Sequence, residues 1–226
     1  MTFAFFYDIL EQSMNIIPNF AVFEGGDGSG TTTQLSILTE RLKNNKKPVF
    51  FPTFEPTEGP IGKLIRSALK KDIDLQPQTI AMLFAADRNE HIYKADGILS
   101  HAKNGELVVS DRYVLSSLVY QGIECGDELP QSLNSRYPAP EVLIFFDVEP
   151  EIALKRMKNR TSHEIYEYLE FQVQVREKYK SLLGIYRNAG VHVETVDAGK
   201  STKEVADQVW SIISRMPIFN ISENSL

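Results

Sequence analysis

Four apolar residues, Phe20 to Phe23, lead through Glu24 into Gly25, Gly26, Asp27, Gly28, Ser29 and Gly30, and then into three hydroxyls, Thr31, Thr32 and Thr33. A buried strand that turns through glycines into a helix suits a parallel sheet, whose strands need a helical crossover to return the chain to the same end. The glycines let backbone N–H groups converge on an oxyanion at the positive end of the following helix. From Gly25 to Thr32 the spacing fits the phosphate-loop pattern GxxxxGK[ST] at every place but one, because Thr31 stands where the lysine belongs. Leu35, Leu38 and Leu42 continue a helical apolar stripe. A glycine-rich turn with no ligand would use the same residues, so the reading depends on the rest of the chain.

The rest repeats the alternation of short apolar strands with longer helical patterns. Strands are expected near 20–24, 47–52, 106–110, 142–147 and 191–196, and helices near 31–44, 60–70, 77–103, 114–121, 149–158, 163–189 and 202–215. This predicts an α/β, three-layer fold with a five-stranded parallel sheet and helices on both faces. The 226 residues suffice for one such domain, expected over 18–216, and 42% hydrophobic with 24% charged residues is an ordinary soluble composition. The loop 122–140 is expected to be irregular and the tail 217–226 to be frayed. Residues 1–17 are expected to form a disordered extension, with natural translation starting at Met14. The apolar start lacks the basic flank of a signal peptide.

A formal net charge of −6 argues against nucleic acid or a membrane surface as the main partner. The single Cys125 excludes an intrachain disulfide and a cysteine-rich zinc site, and is compatible with a reducing cytoplasm. No stretch approaches a membrane span. His91, His101, His163 and His192 show no metal-ligand spacing.

Ligands of parallel α/β sheets bind at the carboxyl ends of the strands. There Asp111 ends the third strand and could hold Mg²⁺ opposite Thr32, while the guanidinium of Arg112 suits a phosphate; a structural Asp–Arg pair is the plain alternative. Phe84 and Arg88 share a helix face, so a ring and a guanidinium could stack on and hydrogen-bond a flat heterocycle, although in isolation an amphipathic helix with a core Phe and a surface Arg is the better account. Ser117, Tyr120 and Gln121 share another face and could read a base and sugar, or simply satisfy backbone.

In their order, FEGGDGSGTTTQ, EPTEGPIG, MLFAADRNEH, VVSDRYVLSSLVYQG, EVLIFFDVEPEIALKRM and EYLEFQVQVREKY resemble the thymidylate kinase family over 18–215. The resemblance implies transfer of the γ-phosphoryl of ATP to dTMP to give dTDP, with Mg²⁺, in a cytoplasmic homodimer. It implies that Gly25 to Thr33 cradle the ATP phosphates and that Asp197, Ala198 and Gly199 meet the adenine. Phe84 would stack on thymine, Arg88 would bond its carbonyl edge, and Ser117 and Gln121 would lie near the base. Tyr120 would crowd out a 2′-hydroxyl, Arg112 would grip the acceptor phosphate, and Asp27 would lie between the two substrates. Glu55 would belong to the acceptor site, and Glu164 or Glu167 would reach the 3′-hydroxyl from a lid over about 156–166.

Two departures remove positive charge: Thr31 replaces the loop lysine, and Phe54 stands where many members carry an arginine for the acceptor phosphate. Lys155, Arg156, Lys158 and Arg160 cluster at the lid, and Arg156 and Arg160 are the expected replacements; a solvated basic helix end is the plain alternative. A nucleotide-binding module that has lost turnover, or a kinase of the same fold for another nucleotide, uses the same loop.

Overall fold

A computed structural model describes residues 14–43, 48–157 and 165–220, with the side chains of 165–168 outside the description. Five strands, β1 (Ile16–Gly25), β2 (Phe50–Phe54), β3 (Leu107–Asp111), β4 (Ala139–Asp147) and β5 (His192–Asp197), form one parallel sheet in the order β2-β3-β1-β4-β5. Nine α-helices are described: α1 (Thr31–Leu42), α2 (Pro60–Leu69), α3 (Pro77–Tyr93), α4 (Ile98–Lys103), α5 (Val114–Cys125), α6 (Glu128–Asn134), α7 (Pro150–Arg156), α8 (Ile165–Asn188) and α9 (Thr202–Ile213). The parallel α/β expectation holds.

The central strands are apolar on both sides because both faces are covered. Side chains alternate along a strand, so Phe20 and Val22 of β1 point one way, with Leu143 and Phe145 of β4, into a core shared with α5 and α8. Ala21 and Phe23 point the other way, with Ile144 and Phe146, against α1 and α9. β1 lies between β3 and β4, where the winding reverses, so its carboxyl end opens on the crevice that ligands of such sheets use.

Several expected boundaries move for identifiable reasons. β1 begins at Ile16, not Phe20, because Ile16 and Ile17 pair with Ala139 and Pro140 across an irregularity at Asn19, whose φ is 63°. The domain therefore includes residues assigned to the N-terminal extension; residues 1–13 lie outside the described residues. The second strand runs from Phe50 to Phe54, with Pro52 tolerated because β2 is an edge strand. The single helix expected over 77–103 is two, since Gly97 packs so closely that a Cβ there would stand 2.7 Å from the His91 carbonyl oxygen. The expected irregular loop contains α6, and the expected frayed tail docks through a 3-10 turn (Pro217–Asn220) that buries Ile218 and sets Phe219 against Trp210.

The loop after β2 is fastened between α2 and α3. Thr57 donates from its N–H and its hydroxyl to Asp87, both at 2.7 Å, and Gly62 of α2 lies so near that a Cβ would stand 1.9 Å from the Thr57 carbonyl oxygen. Gly62→Ala must therefore displace backbone. We expect a loss of about 2–3 kcal/mol, measured by urea unfolding, within the range of overpacked cores.

Candidate active site

The glycine loop joins β1 to α1 by a tight turn in which Ser29 N–H donates to the Gly26 carbonyl at 3.2 Å, and Gly28 and Gly30 have φ of 76° and 94°. Only glycine adopts such angles without strain. The loop is also pressed from above: a Cβ on Gly28 would stand 2.7 Å from the Ala153 carbonyl oxygen and 3.1 Å from Met157. The C-terminal turn of α7, which carries Lys155 and Arg156, thus rests on the loop. Thr31 is buried as the first residue of α1, while Thr33 is exposed.

Next to Thr31, the Thr32 hydroxyl donates to Asp111 Oδ2 at 2.5 Å, joining α1 to the end of β3. Asp111 Oδ1 is buried without a hydrogen-bond partner among the described residues. A hydroxyl beside a carboxylate with a free oxygen is the oxygen donor set that suits Mg²⁺.

Arg112 follows with a positive φ of 74°, unusual for a side chain with a Cβ. Its N–H donates to the Phe23 carbonyl at 2.9 Å, and its guanidinium donates to the Gly25 carbonyl, to Asp27 Oδ1 at 3.1 Å and to the Tyr179 hydroxyl at 3.1 Å. Arg112 also lies over the Tyr120 ring, 5.5 Å from its centroid. Asp27 and Arg112, expected at the meeting of the two substrates, are thus brought together. Phe54 ends β2 in register with Asp111 and is 40% exposed, so the neighbouring strand end carries a ring and no charge.

The residues expected to read the base divide into two layers. Arg88 is 1% exposed; its Nη2 donates to Glu55 Oε2 at 2.6 Å, to Ser117 Oγ at 3.0 Å and to the Tyr113 carbonyl at 3.1 Å, and its Nη1 donates to Asn134. The other Glu55 oxygen meets His91 Nδ1 at 3.1 Å, and His91 Nε2 meets the Thr53 hydroxyl at 2.6 Å. Both Glu55 oxygens are therefore engaged within the protein. Glu55 is the counter-charge to Arg88, which a guanidinium buried this deeply requires. Phe84 is half-buried on the same helix. Arg88 Nε, the Tyr120 hydroxyl and Gln121 Oε1 are buried polar atoms without partners among the described residues, an unusual state for three neighbouring candidates of one site.

At the far side, Ala198 is buried and its N–H donates to the Asp147 carbonyl at 2.8 Å, while Gly199 N–H donates to Asp197 Oδ1 at 3.0 Å. The exposed Arg156 lies 3.4 Å from the Lys200 carbonyl oxygen, against this turn. Asp147 is clamped by Arg176 and Lys180; burial alone would raise its carboxyl, but the Arg176 hydrogen bonds hold it below its usual value. Lys158, Arg160, His163 and Glu164 lie outside the described residues, as does the side chain of Glu167.

Sequence reasoning missed a buried carboxylate at the heart of this site. Glu24, wholly buried, accepts from Tyr113 N–H at 3.0 Å, Ser116 N–H at 3.2 Å, the Ser116 hydroxyl at 2.6 Å and the Tyr179 hydroxyl at 3.0 Å. Burial pushes its carboxyl from the usual 4.5 up to about 7, against the opposing pull of Ser116, Arg112 and Tyr179. An acid ending a continuous apolar run was the available signal. Asn134 was missed because its helix is short and was read as loop.

A family model described as thymidylate kinase matches residues 23–209. A Treponema pallidum protein, whose name is that of a thymidylate kinase, is 40% identical over 199 residues, covering 87% of this chain and 95% of the relative. A probable thymidylate kinase of Pyrobaculum aerophilum is 39% identical over 201 residues, covering 88% and 98%. One of Methanococcus maripaludis is 43% identical over 165 residues, covering 73% and 77%. By that family model and those relatives, the chain, with its glycine loop, its Thr32–Asp111 pair and its Asp27–Arg112 pair at the carboxyl ends of one parallel sheet, belongs to the thymidylate kinase family.

Proposed function

We propose that this protein transfers the γ-phosphoryl group of ATP to dTMP, giving dTDP and ADP. The observation that carries the reading is the meeting, at the end of β1, of a glycine loop, a hydroxyl–carboxylate pair and a guanidinium–carboxylate pair. Phosphoryl transfer needs little covalent help from a protein; it needs the two substrates in line and the charge on the equatorial oxygens neutralised. The backbone N–H groups of Gly25 to Thr33 hold the β- and γ-phosphates at the N-terminus of α1. Thr32 and Asp111 would hold Mg²⁺, which supplies positive charge to the donor phosphates. Arg112 grips the acceptor phosphate, and Asp27 keeps the guanidinium oriented towards the gap between the substrates. No general base is required, because the attacking phosphate oxygen is already ionised.

Phe84 stacks on the thymine, and Arg88 offers Nε to it while Glu55, Ser117 and Asn134 hold the rest of the guanidinium. Tyr120 and Gln121 bring to the same acceptor polar atoms that have no partner among the described residues. Asp197, Ala198 and Gly199 form the turn against which the adenine lies. A second copy of the chain packs on the face shared by α2 and α3, where Leu64, Leu69 and Met82 are 42%, 51% and 52% exposed and a 430 Å³ groove is lined by Ile61, Met82, Ala85 and Leu133.

The missing lysine is answered from α7. Its last turn rests on Gly28 and carries Lys155 and Arg156, and Arg160 follows four positions later in the sequence. A charge-assisted hydrogen bond contributes about 1.5–3 kcal/mol, so losing one without replacement slows turnover roughly ten- to hundredfold. A lid cation recovers that loss if it reaches the same oxygens when the lid closes.

A coupled ADP-release assay over the nucleoside monophosphates, at saturating Mg-ATP, is expected to give turnover with dTMP above that with dUMP or UMP. No turnover with any acceptor would defeat the proposal. In the same assay Arg156→Ala and Arg160→Ala are expected to lower kcat about tenfold or more with little change in the KM for dTMP. Thr31→Lys is expected to restore rate in those variants more than in the wild type; equal gains would mean the lid cations and position 31 serve different oxygens. Sedimentation is expected to show a dimer that Met82→Glu converts to a monomer, since a carboxylate at the centre of an apolar interface must be desolvated without a partner.

A further inference from the structure

The buried Glu24 is expensive to maintain: ionised, it is a charge wholly removed from water, and an apolar side chain could occupy the end of β1 without that cost. Its surroundings suggest what the charge does. From α5 it faces the N–H groups of Tyr113 and Ser116 and the Ser116 hydroxyl; from α8 it faces Tyr179 and, farther off, Tyr186. Arg112 on the β3–α5 turn and Arg88 on α3 complete the charged groups around it. Among these, Tyr179 is the link outward, because its hydroxyl lies 3.0 Å from Glu24 Oε2 and 3.1 Å from Arg112 Nη1.

We propose that Glu24 is a positioning residue for the acceptor site: its ionised carboxylate, acting through Tyr179, aims the Arg112 guanidinium at the acceptor phosphate. The argument rests on the direction of hydrogen bonds. An ionised carboxylate only accepts, so the Tyr179 O–H must donate to it, leaving the Tyr179 lone pairs to accept from Arg112. A protonated carboxyl carries its own O–H. Directed at Tyr179, that proton reverses the chain: the Tyr179 oxygen is then shared between two donors, Glu24 and Arg112, and its own hydrogen turns to the Ser116 hydroxyl 2.9 Å away. The bond that steadies Arg112 weakens, and Arg112 falls back on Asp27 and the Gly25 carbonyl. Because burial pushes the Glu24 carboxyl up to about 7, the arrangement is expected to change within the physiological range.

This inference rests on the assignment of Arg112 to the acceptor phosphate, and the experiment separates the two. Wild-type turnover of dTMP tests the assigned reaction. The ratio of variant to wild-type KM, as a function of pH, tests Glu24, and the titration of the substrate's own phosphate cancels in that ratio. Glu24→Gln keeps the two backbone acceptances through its amide oxygen and presents an NH₂ where the protonated acid has its O–H, so it mimics the protonated state at every pH. Tyr179→Phe removes the link while leaving the carboxylate.

With Mg-ATP saturating, both variants are expected to raise the KM for dTMP about tenfold at pH near 8.5, with kcat within about twofold, as expected when one bond to a charged group is lost from binding. At pH near 5.5 the Glu24→Gln ratio is expected to approach one, because the wild-type carboxyl is then protonated as well. The double variant is expected to be no worse than either single one, since both break one chain. A ratio that does not change with pH, a fall in kcat at constant KM, or additive effects in the double variant would overturn the proposal. Melting temperature guards against misfolding. A carboxyl raised in the folded state contributes stability below its ordinary value of 4.5 that is lost as pH rises through about 7, so Glu24→Gln should melt at or above wild type at alkaline pH. If it melts far below, Tyr179→Phe alone decides: an unchanged KM for dTMP in that variant would overturn the proposal.

Discussion

The N-terminus of α5 has no cap of its own. Its first N–H groups are met by Glu24, a residue 89 positions earlier at the end of the central strand. Unpaired N–H groups at a helix start carry partial positive charge, and an acceptor-only carboxylate is the strongest partner for them. One side chain thereby sets α5 against β1, and α5 carries Ser117, Tyr120 and Gln121. The same carboxylate reaches α8 through Tyr179 and, through it, Arg112. Geometry at both ends of the proposed acceptor site depends on this contact.

Around it, the site is layered. Groups expected to meet substrates, Arg88 and Arg112, are each held by residues that have all or part of their hydrogen-bonding capacity committed to the protein. Glu55, His91 and Asn134 fix Arg88 from behind; Asp27, Gly25 and Tyr179 fix Arg112. A guanidinium has five donors in a rigid fork, so engaging both Nη groups fixes the direction of the remaining N–H. This preorganisation matters most where charge is scarce, and Thr31 and Phe54 make it scarce here. Each remaining cation must be well directed, because positions 31 and 54 supply no charge to make good a misplacement.

Much of this was legible in the residue order. The glycine spacing, the apolar run before it and the hydroxyls after it specify a strand, a phosphate loop and a helix by local rules. Asp111 and Arg112 at the end of a Val-rich strand fall where parallel sheets bind ligands. The failures were equally physical. Glu24 reads as the last residue of a strand, and nothing nearby in sequence says that Ser116 and Tyr179 will close over it. Glu55 reads as a site carboxylate, and nothing near it in sequence says that its two oxygens will meet Arg88 and His91 of α3. α6 is too short to announce itself, so Asn134 went unseen. Gly97 breaks a helix through a contact with carbonyls of the preceding turn, which periodicity does not register.

By itself, then, the sequence determined the α/β architecture, the phosphate-binding loop and its missing lysine, and the candidate groups at the strand ends, because these follow from local backbone preferences and from the period of apolar residues. Tertiary structure alone decided which of those groups face the cleft, which stand behind as supports, and that a buried carboxylate ties them together. Hydrogen-bond partners tens of residues apart are chosen by how helices pack on the sheet, and only the packed chain satisfies every donor and acceptor at once.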